Sequence, residues 1–249
     1  MSVSSPDGSP RIALVTGASR GIGRAAAVAL AASGAHVVAL ARTQGGLEEL
    51  DDEIRALPNA DPGATTLVPM DLRDFAAIDR LGEALYRRWG RLDAFVGNAG
   101  VLGLLTPLHH LDPKTWDEVM AVNVTANWRL IRSLDPLLRQ SEAGRAVFLT
   151  SGAARGGRAY WGLYAATKAA LETLVRSYAA ELASGPARAN MFNPGRLRTA
   201  MHAAAFPGVD PNDFQPPAVA APSLIDMIEP GFTQNAVLFD FPTRETRPL

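Results

Sequence analysis

Tyr164 and Lys168 stand four residues apart, a spacing that on a helix puts a phenol and an ammonium on one face. The chain has four Tyr and only two Lys, Lys114 and Lys168, although Lys and Arg together number 24. A lysine kept where arginine is the usual cation points to a need for a compact ammonium. A phenol of ordinary pKa, about 10, is a poor base near neutrality unless a nearby positive charge favours its phenolate. With that help Tyr164 can give a proton to a carbonyl oxygen or take one from an alcohol. Ser151, at the end of an apolar run upstream, can hydrogen-bond the developing alkoxide. Asn123, within Val122-Asn123-Val124, is a poor helix former that needs a partner if buried, and a role in holding water near Lys168 would account for it.

These side chains need a scaffold, and the chain supplies a repeating one. Short apolar runs with little alternation occur at 11–16, 36–42, 65–71, 92–97, 145–150, 188–193 and 236–241, as expected of strands covered on both faces. Helical stretches lie between them, so the pattern predicts a mostly parallel α/β sheet with helices on both sides. Gly21 to Gly23 opens the first helix and Ser33-Gly34 closes it. Asp112-Pro113 opens another, expected to run to about Arg139 with a bend at Pro136. Residues 202–223 carry five prolines among small residues and read as a long loop, a lid candidate over a substrate.

The first strand leads into Thr16-Gly17-Ala18-Ser19-Arg20-Gly21-Ile22-Gly23 and then a helix. Backbone can approach a pyrophosphate closely there, and the helix start offers free N–H groups and a positive dipole end. The second strand ends at Leu40-Ala41-Arg42-Thr43, without the acidic residue that would hold a ribose 2′-hydroxyl. Arg42, with Arg20 across the turn, suits a 2′-phosphate, so the residues favour NADP(H) over NAD(H). Asp71, after the third strand, can accept from an adenine amino group or cap the helix that begins near Asp74.

Composition closes off other classes. The formal net charge of −1 gives no basic excess for nucleic acid or an anionic membrane. The stretch 25–41 is interrupted by Ser33, Gly34 and His36 and is too short for a membrane helix. Without cysteine there are no disulfides, and cytoplasm is the expected compartment. His36, His109, His110 and His202 have no second ligand at a metal spacing, so no metal site is expected. Residues 1–10 read as a flexible tail and 11–249 as one domain.

The sequence resembles the short-chain dehydrogenases/reductases from about Arg11 to Phe241. The resemblance rests on Thr16-Gly-Ala-Ser-Arg-Gly-Ile-Gly23, Asp71-Leu72, Asn98-Ala99-Gly100, Asn123, Ser151, Tyr164-Ala-Ala-Thr-Lys168 and Asn193-Pro-Gly195. It implies a doubly wound Rossmann-type domain with a seven-stranded parallel sheet in the order 3-2-1-4-5-6-7. It also implies a catalytic tetrad of Asn123, Ser151, Tyr164 and Lys168, with Lys168 on the nicotinamide ribose. Pro194, Gly195, Leu197 and Thr199 would border the nicotinamide, and Asn98, Ala99 and Gly100 would line the cofactor. Relatives form homodimers or homotetramers through the helices that bear Asn123 and Tyr164. Two departures stand out: Gly97 replaces the usual first Asn before Asn98, and Asp240-Phe241-Pro242 replaces Asp-Gly-Gly.

The expected activity is therefore hydride transfer between nicotinamide and a small carbonyl or alcohol, with Tyr164 as acid/base. Substrate shape would come from residues 102–105, 155–161 and 200–222, with Trp161 at the mouth. A nucleotide-binding regulatory or scaffold protein of the same fold is the alternative, separable by cofactor binding and turnover.

Overall fold

The computed structural model describes residues 9–58, 61 and 63–249; most of the expected N-terminal tail lies outside the described residues. The chain alternates β1 (Ile12–Thr16), α1 (Gly21–Ala32), β2 (His36–Ala41), α2 (Gln44–Arg55), β3 (Thr65–Pro69), α3 (Phe75–Trp89) and β4 (Ala94–Gly97). It continues with α4 (Pro113–Met120), α5 (Ala126–Gln140), β5 (Arg145–Leu149), α6 (Gly162–Glu181), β6 (Arg188–Asn193), α7 (Ala200–Ala205), α8 (Ala221–Asp226), β7 (Val237–Asp240) and β8 (Glu245–Pro248).

The strands form one sheet in the order β3-β2-β1-β4-β5-β6-β7-β8. The first seven positions match the expected order and are parallel. The eighth strand corrects the expected count: the chain reverses after Asp240 and β8 returns antiparallel, pairing Asp240 with Glu245 and Val237 with Pro248. Its exposed polar residues carry no apolar pattern, which is why the sequence did not reveal it.

Successive side chains of β1 point to opposite faces, and each face has its own core. Ile12 and Leu14 join Phe95, Phe148, Ile78 of α3, Leu130 of α5 and Leu171 of α6. Ala13 and Val15 join Ala26, Ala27 and Leu30 of α1, Leu47 and Leu50 of α2 and Leu224 of α8. Burial on both faces explains why the strands read as unbroken apolar runs.

Local signals set the helix ends. Asp112 accepts from the Thr115 N–H at 2.9 Å with Pro113 in the first turn of α4. Asp74, not Asp71, caps α3 by accepting from the Ala77 N–H at 2.9 Å. The expected single helix from Asp112 is broken: α4 passes into a π-helical turn, Ala121–Thr125, before α5 begins, and α5 then runs through Pro136 to Gln140. The break therefore falls at Asn123, and π turns within helices tend to mark functional positions. The expected loop at 202–223 is also more ordered than its prolines suggest, for it contains part of α7, two short 3₁₀ turns and the start of α8.

Candidate active site

A continuous cleft of about 1540 Å³ lies across the carboxyl ends of β1, β2, β4, β5 and β6, where open parallel sheets bind ligands. Every residue expected at the nucleotide and chemical ends lines it except Gly23 and Asn123, which act from behind its wall.

At the nucleotide end Gly17 and Gly21 have φ of 67° and 58°, a region that favours glycine. A Cβ on Gly17 would sit 2.8 Å from Asn98 Nδ2, and one on Gly23 would collide with the Gly17 carbonyl and the same amide. Asn98 braces this turn: its Nδ2 donates to the carbonyls of Thr16 at 2.8 Å and Gly17 at 3.3 Å. Thr16 Oγ1 in turn accepts from the N–H groups of Asn98 and Ala99, both at 3.1 Å. The glycine turn is thus fastened to the end of β4, leaving a crowded backbone cradle at the start of α1. Such a cradle fits a dinucleotide pyrophosphate.

Arg20 and Arg42 line the cleft beside it and are exposed. Among the described residues neither guanidinium has a hydrogen bond or ion pair, whereas the nearby Arg24 is held by Glu53 at 2.6 Å and Glu49 at 3.2 Å. Asp71 is clasped by Arg73 at 2.7 Å, and that clasp, with a smaller contribution from Arg42, holds its carboxyl below the usual carboxylate range. Leu72 turns into the core behind.

At the chemical end α6 presents Tyr164 and Lys168 to Ser151, which follows β5. Tyr164 is 7% exposed and lies beside Ser151, and its hydroxyl lies 4.0 Å from Met201 Sδ. Ser151 Oγ also accepts from the Ala153 N–H at 3.2 Å. Lys168 is buried, donates to the Leu149 carbonyl at 2.9 Å and has its Nζ 5.8 Å from the centre of the Tyr164 ring. A Cβ on Gly100 would lie 3.5 Å from that Nζ, in ordinary contact, and 3.3 Å from Asn123 Oδ1, a tighter approach.

Burial pushes the Tyr164 phenol up to about 12, opposed by a smaller effect of the neighbouring Ser151 hydroxyl, and draws Lys168 down to about 8. The expectation that lysine lowers the phenol does not hold for the chain by itself. Desolvation sets the direction for both groups. Near neutrality the pair therefore holds a phenol and an ammonium, the protonation states that suit proton donation to an alkoxide.

Asn123 is fully buried in the π turn, and its side chain is saturated by protein. It exchanges hydrogen bonds of 2.8 Å with the backbone of Val101 in both directions and donates to Thr167 Oγ1 at 3.0 Å. Thr167 donates to the Tyr164 carbonyl at 2.8 Å. Asn123 thereby ties the loop after β4 to the helix that carries the phenol.

Pro194, Gly195, Leu197 and Thr199 continue the wall beyond β6. Gly195 has φ of 67°, and a Cβ on it would run into the Pro242 ring, which links the glycine to the departure at 240–242. Thr199 caps α7 by accepting from the His202 N–H at 3.1 Å.

Sequence reasoning missed several neighbours. Glu172, one helical turn beyond Lys168, accepts from Thr150 Oγ1 at 2.8 Å and from Arg155 at 3.1 Å, behind Ser151. Arg155, expected along the substrate pocket, turns to this carboxylate instead. Trp161 does line the cleft, along with Arg158, Met201 and Phe206 from the two segments expected to shape the substrate, and Arg196, which lies outside them, joins the group.

The comparisons with known proteins agree with this architecture. Residues 11–210 match the family model described as short chain dehydrogenase. The chain belongs to the short-chain dehydrogenase family. It is 41% identical over 214 residues to the uncharacterized oxidoreductase YciK of Escherichia coli K12, covering 85% of this chain and 83% of that one. A crystal structure from Shigella flexneri, assigned as a short-chain dehydrogenase and complexed with NADP, matches with a TM-score of 0.87 and 36% identity. That match covers 96% of this chain and 98% of the other. One from Escherichia coli CFT073, similarly assigned and complexed with NADPH, matches with a TM-score of 0.87 and 37% identity over 96% of this chain and 97% of its own. As a member of this family the chain is an oxidoreductase.

Proposed function

We propose that this short-chain dehydrogenase is an NADP(H)-dependent reductase of small carbonyl compounds that also oxidises the corresponding alcohols. The observation that carries the reading is the cleft itself. It has a glycine cradle and two unpartnered arginines at one end, and at the other a buried phenol beside Ser151 and Lys168.

Gly17, Ser19, Gly21, Ile22 and the start of α1 would hold the pyrophosphate, and Asp71, Leu72, Asn98, Ala99 and Gly100 would border the adenosine and ribose. Arg42 and Arg20 would receive the 2′-phosphate, a bidentate contact a ribose hydroxyl cannot match. The NADP and NADPH held by the two related structures support this choice. By the family resemblance Lys168 also holds the nicotinamide ribose, and Pro194, Gly195, Leu197 and Thr199 border the ring.

When bound, the nicotinamide supplies or accepts the hydride. Ser151 Oγ and the Tyr164 hydroxyl together hold the carbonyl oxygen. As negative charge grows on that oxygen, Tyr164 releases its proton to it. Lys168, charged below about pH 8, offsets the phenolate that remains. Asn123 and Thr167 keep the phenol-bearing turn in place. The same reading takes residues 11–249 as one domain and its working form as a homodimer or homotetramer. Exposed Trp116 on α4 and Trp128 on α5 support a covered face there, and light scattering checks the mass.

The test begins with titration of the protein with NADPH and NADH, followed by nicotinamide fluorescence. Ketones, aldehydes and quinones are then screened for NADPH oxidation, with Tyr164→Phe as control. Tight NADPH binding with Tyr164-dependent turnover is the expected result; binding of neither nucleotide would overturn the proposal.

A further inference from the structure

The substrate end of the cleft holds positive charge that the reductase mechanism does not use. Arg158, shortly before α6, and Arg196, just after Gly195, both line the cleft and are exposed. Arg158 Cζ lies 5.2 Å from the centre of the Trp161 ring and 4.9 Å from that of Phe206. Arg196 Cζ lies 5.1 Å from the same Phe206 ring. Two guanidiniums thus share one phenyl group. Stacking on an aromatic ring fixes a guanidinium's place while leaving its fork of N–H donors unspent.

No counter-charge satisfies them. Among the described residues neither side chain has a hydrogen bond or ion pair. The acidic residues lining the cleft are Glu53 and Asp71, both at the nucleotide end and engaged with Arg24 and Arg73. The nearby His202 does not help. Its ring packs on Phe206 at 4.8 Å, and burial, then the charge of Arg196, holds it below the ordinary histidine range. Two like charges on one ring with no neutralising partner among the described residues favour an anion brought from outside.

An apolar path joins this pair to the reacting phenol. The Tyr164 and Trp161 rings are 6.1 Å apart, and the Trp161 and Phe206 rings 5.6 Å. We propose that the substrate carries an apolar body that lies along Trp161 and Phe206 and ends in a carboxylate received by Arg158 and Arg196. The position of its carbonyl rests on the reductase reading; the anion site rests on the arginine pair alone.

The probes are para-formylphenylpropanoate and its methyl ester, which differ in charge and share the aldehyde. With NADPH, kcat/KM for the carboxylate should exceed that for the ester by about tenfold at low salt and fall as salt rises, since exposed charge pairs are screened. Arg158→Gln with Arg196→Gln should bring the ratio close to one, and Arg196→Glu should invert it. Calorimetric binding of the carboxylate to the NADP-loaded protein and to the free protein gives a readout that needs no turnover. Arginine-dependent carboxylate binding without reduction of either probe would sustain the anion site and count against the reductase reading. Equal kcat/KM for the two probes, or no arginine-dependent binding of the carboxylate, would overturn the proposal. A loss of NADPH affinity in the double variant with the ratio unchanged would also overturn it, by assigning the arginines to the nucleotide.

Discussion

At the end of the cleft assigned to the nucleotide a backbone cradle stands beside a few side chains, whereas the end assigned to the substrate is lined mostly by side chains. Gly17, Gly21 and Gly23 sit in one continuous segment; Gly17 is crowded by Asn98 and Ala99, and Gly23 by Asn98 and the Gly17 backbone, so that no side chain fits at either. The substrate end draws Arg158 and Trp161 from the stretch before α6, and Arg196 and Phe206 from either side of α7, all outside the sheet. A crowded backbone surface recognises a group common to many reactions and tolerates little change. Side chains outside the sheet can be exchanged without disturbing it, which fits the proposal that substrate choice resides there.

Breaking the chemical end alone should give the largest effect. Tyr164→Phe removes the proton donor and should lower kcat by about 10² to 10⁴-fold, with NADPH affinity, read by fluorescence titration, changed only a few-fold. A variant that kept full turnover would remove Tyr164 from the acid/base role.

Arg42→Asp sharpens the comparison from the nucleotide side. Losing a charge-assisted contact worth about 1.5–3 kcal/mol should weaken NADPH binding by about 10–100-fold. NADH should be little affected, so the ratio of the two dissociation constants is the measurement.

Gly23→Ala tests the crowding itself. Overpacking of this kind costs about 1–3 kcal/mol. Thermal melts should therefore drop, and NADPH affinity should fall with them, while Arg158→Gln at the exposed substrate end should leave the melting temperature nearly unchanged. Equal destabilisation by the two would erase the contrast between the ends.

The smallest expected effect is in pH. Because burial lowers Lys168 to about 8, its ammonium is fully present below that value and is lost as pH rises through it. Reduction measured as kcat/KM should be flat near neutrality and fall above about pH 8. Lys168→Arg should lower the plateau and remove this falling limb, since arginine keeps its proton. For stability the sign is opposite: between about 8 and the ordinary 10.5 the unfolded chain binds more protons, so the Lys168 contribution to stability increases with pH across that window.

Much of this was legible before the fold because the signals are local. The glycine turn after β1 and the Asp112-Pro113 helix start need only short-range sterics and hydrogen bonding, and both appear where the sequence puts them. Arg42 was found in the same way, as the residue that ends an apolar strand. The π turn at Asn123 was not legible, and the partners of its buried side chain, Val101 and Thr167, are distant in sequence. Nor was Arg155, whose partner Glu172 is chosen by how the turn after Ser151 lies on α6. The strand β8 failed for another reason: an exposed edge pairing through backbone leaves no apolar period.

By itself the sequence determined the alternation of strands and helices, the phosphate-binding turn and the facing pair Tyr164 and Lys168, because each depends on residues within a few positions of one another. Tertiary structure decided the rest. It set the direction in which burial moves the phenol and the ammonium, the work assigned to Asn123, and the meeting of Arg158 and Arg196 over Phe206. Desolvation and charge proximity are properties of what surrounds a group in space, and the chain order does not contain them.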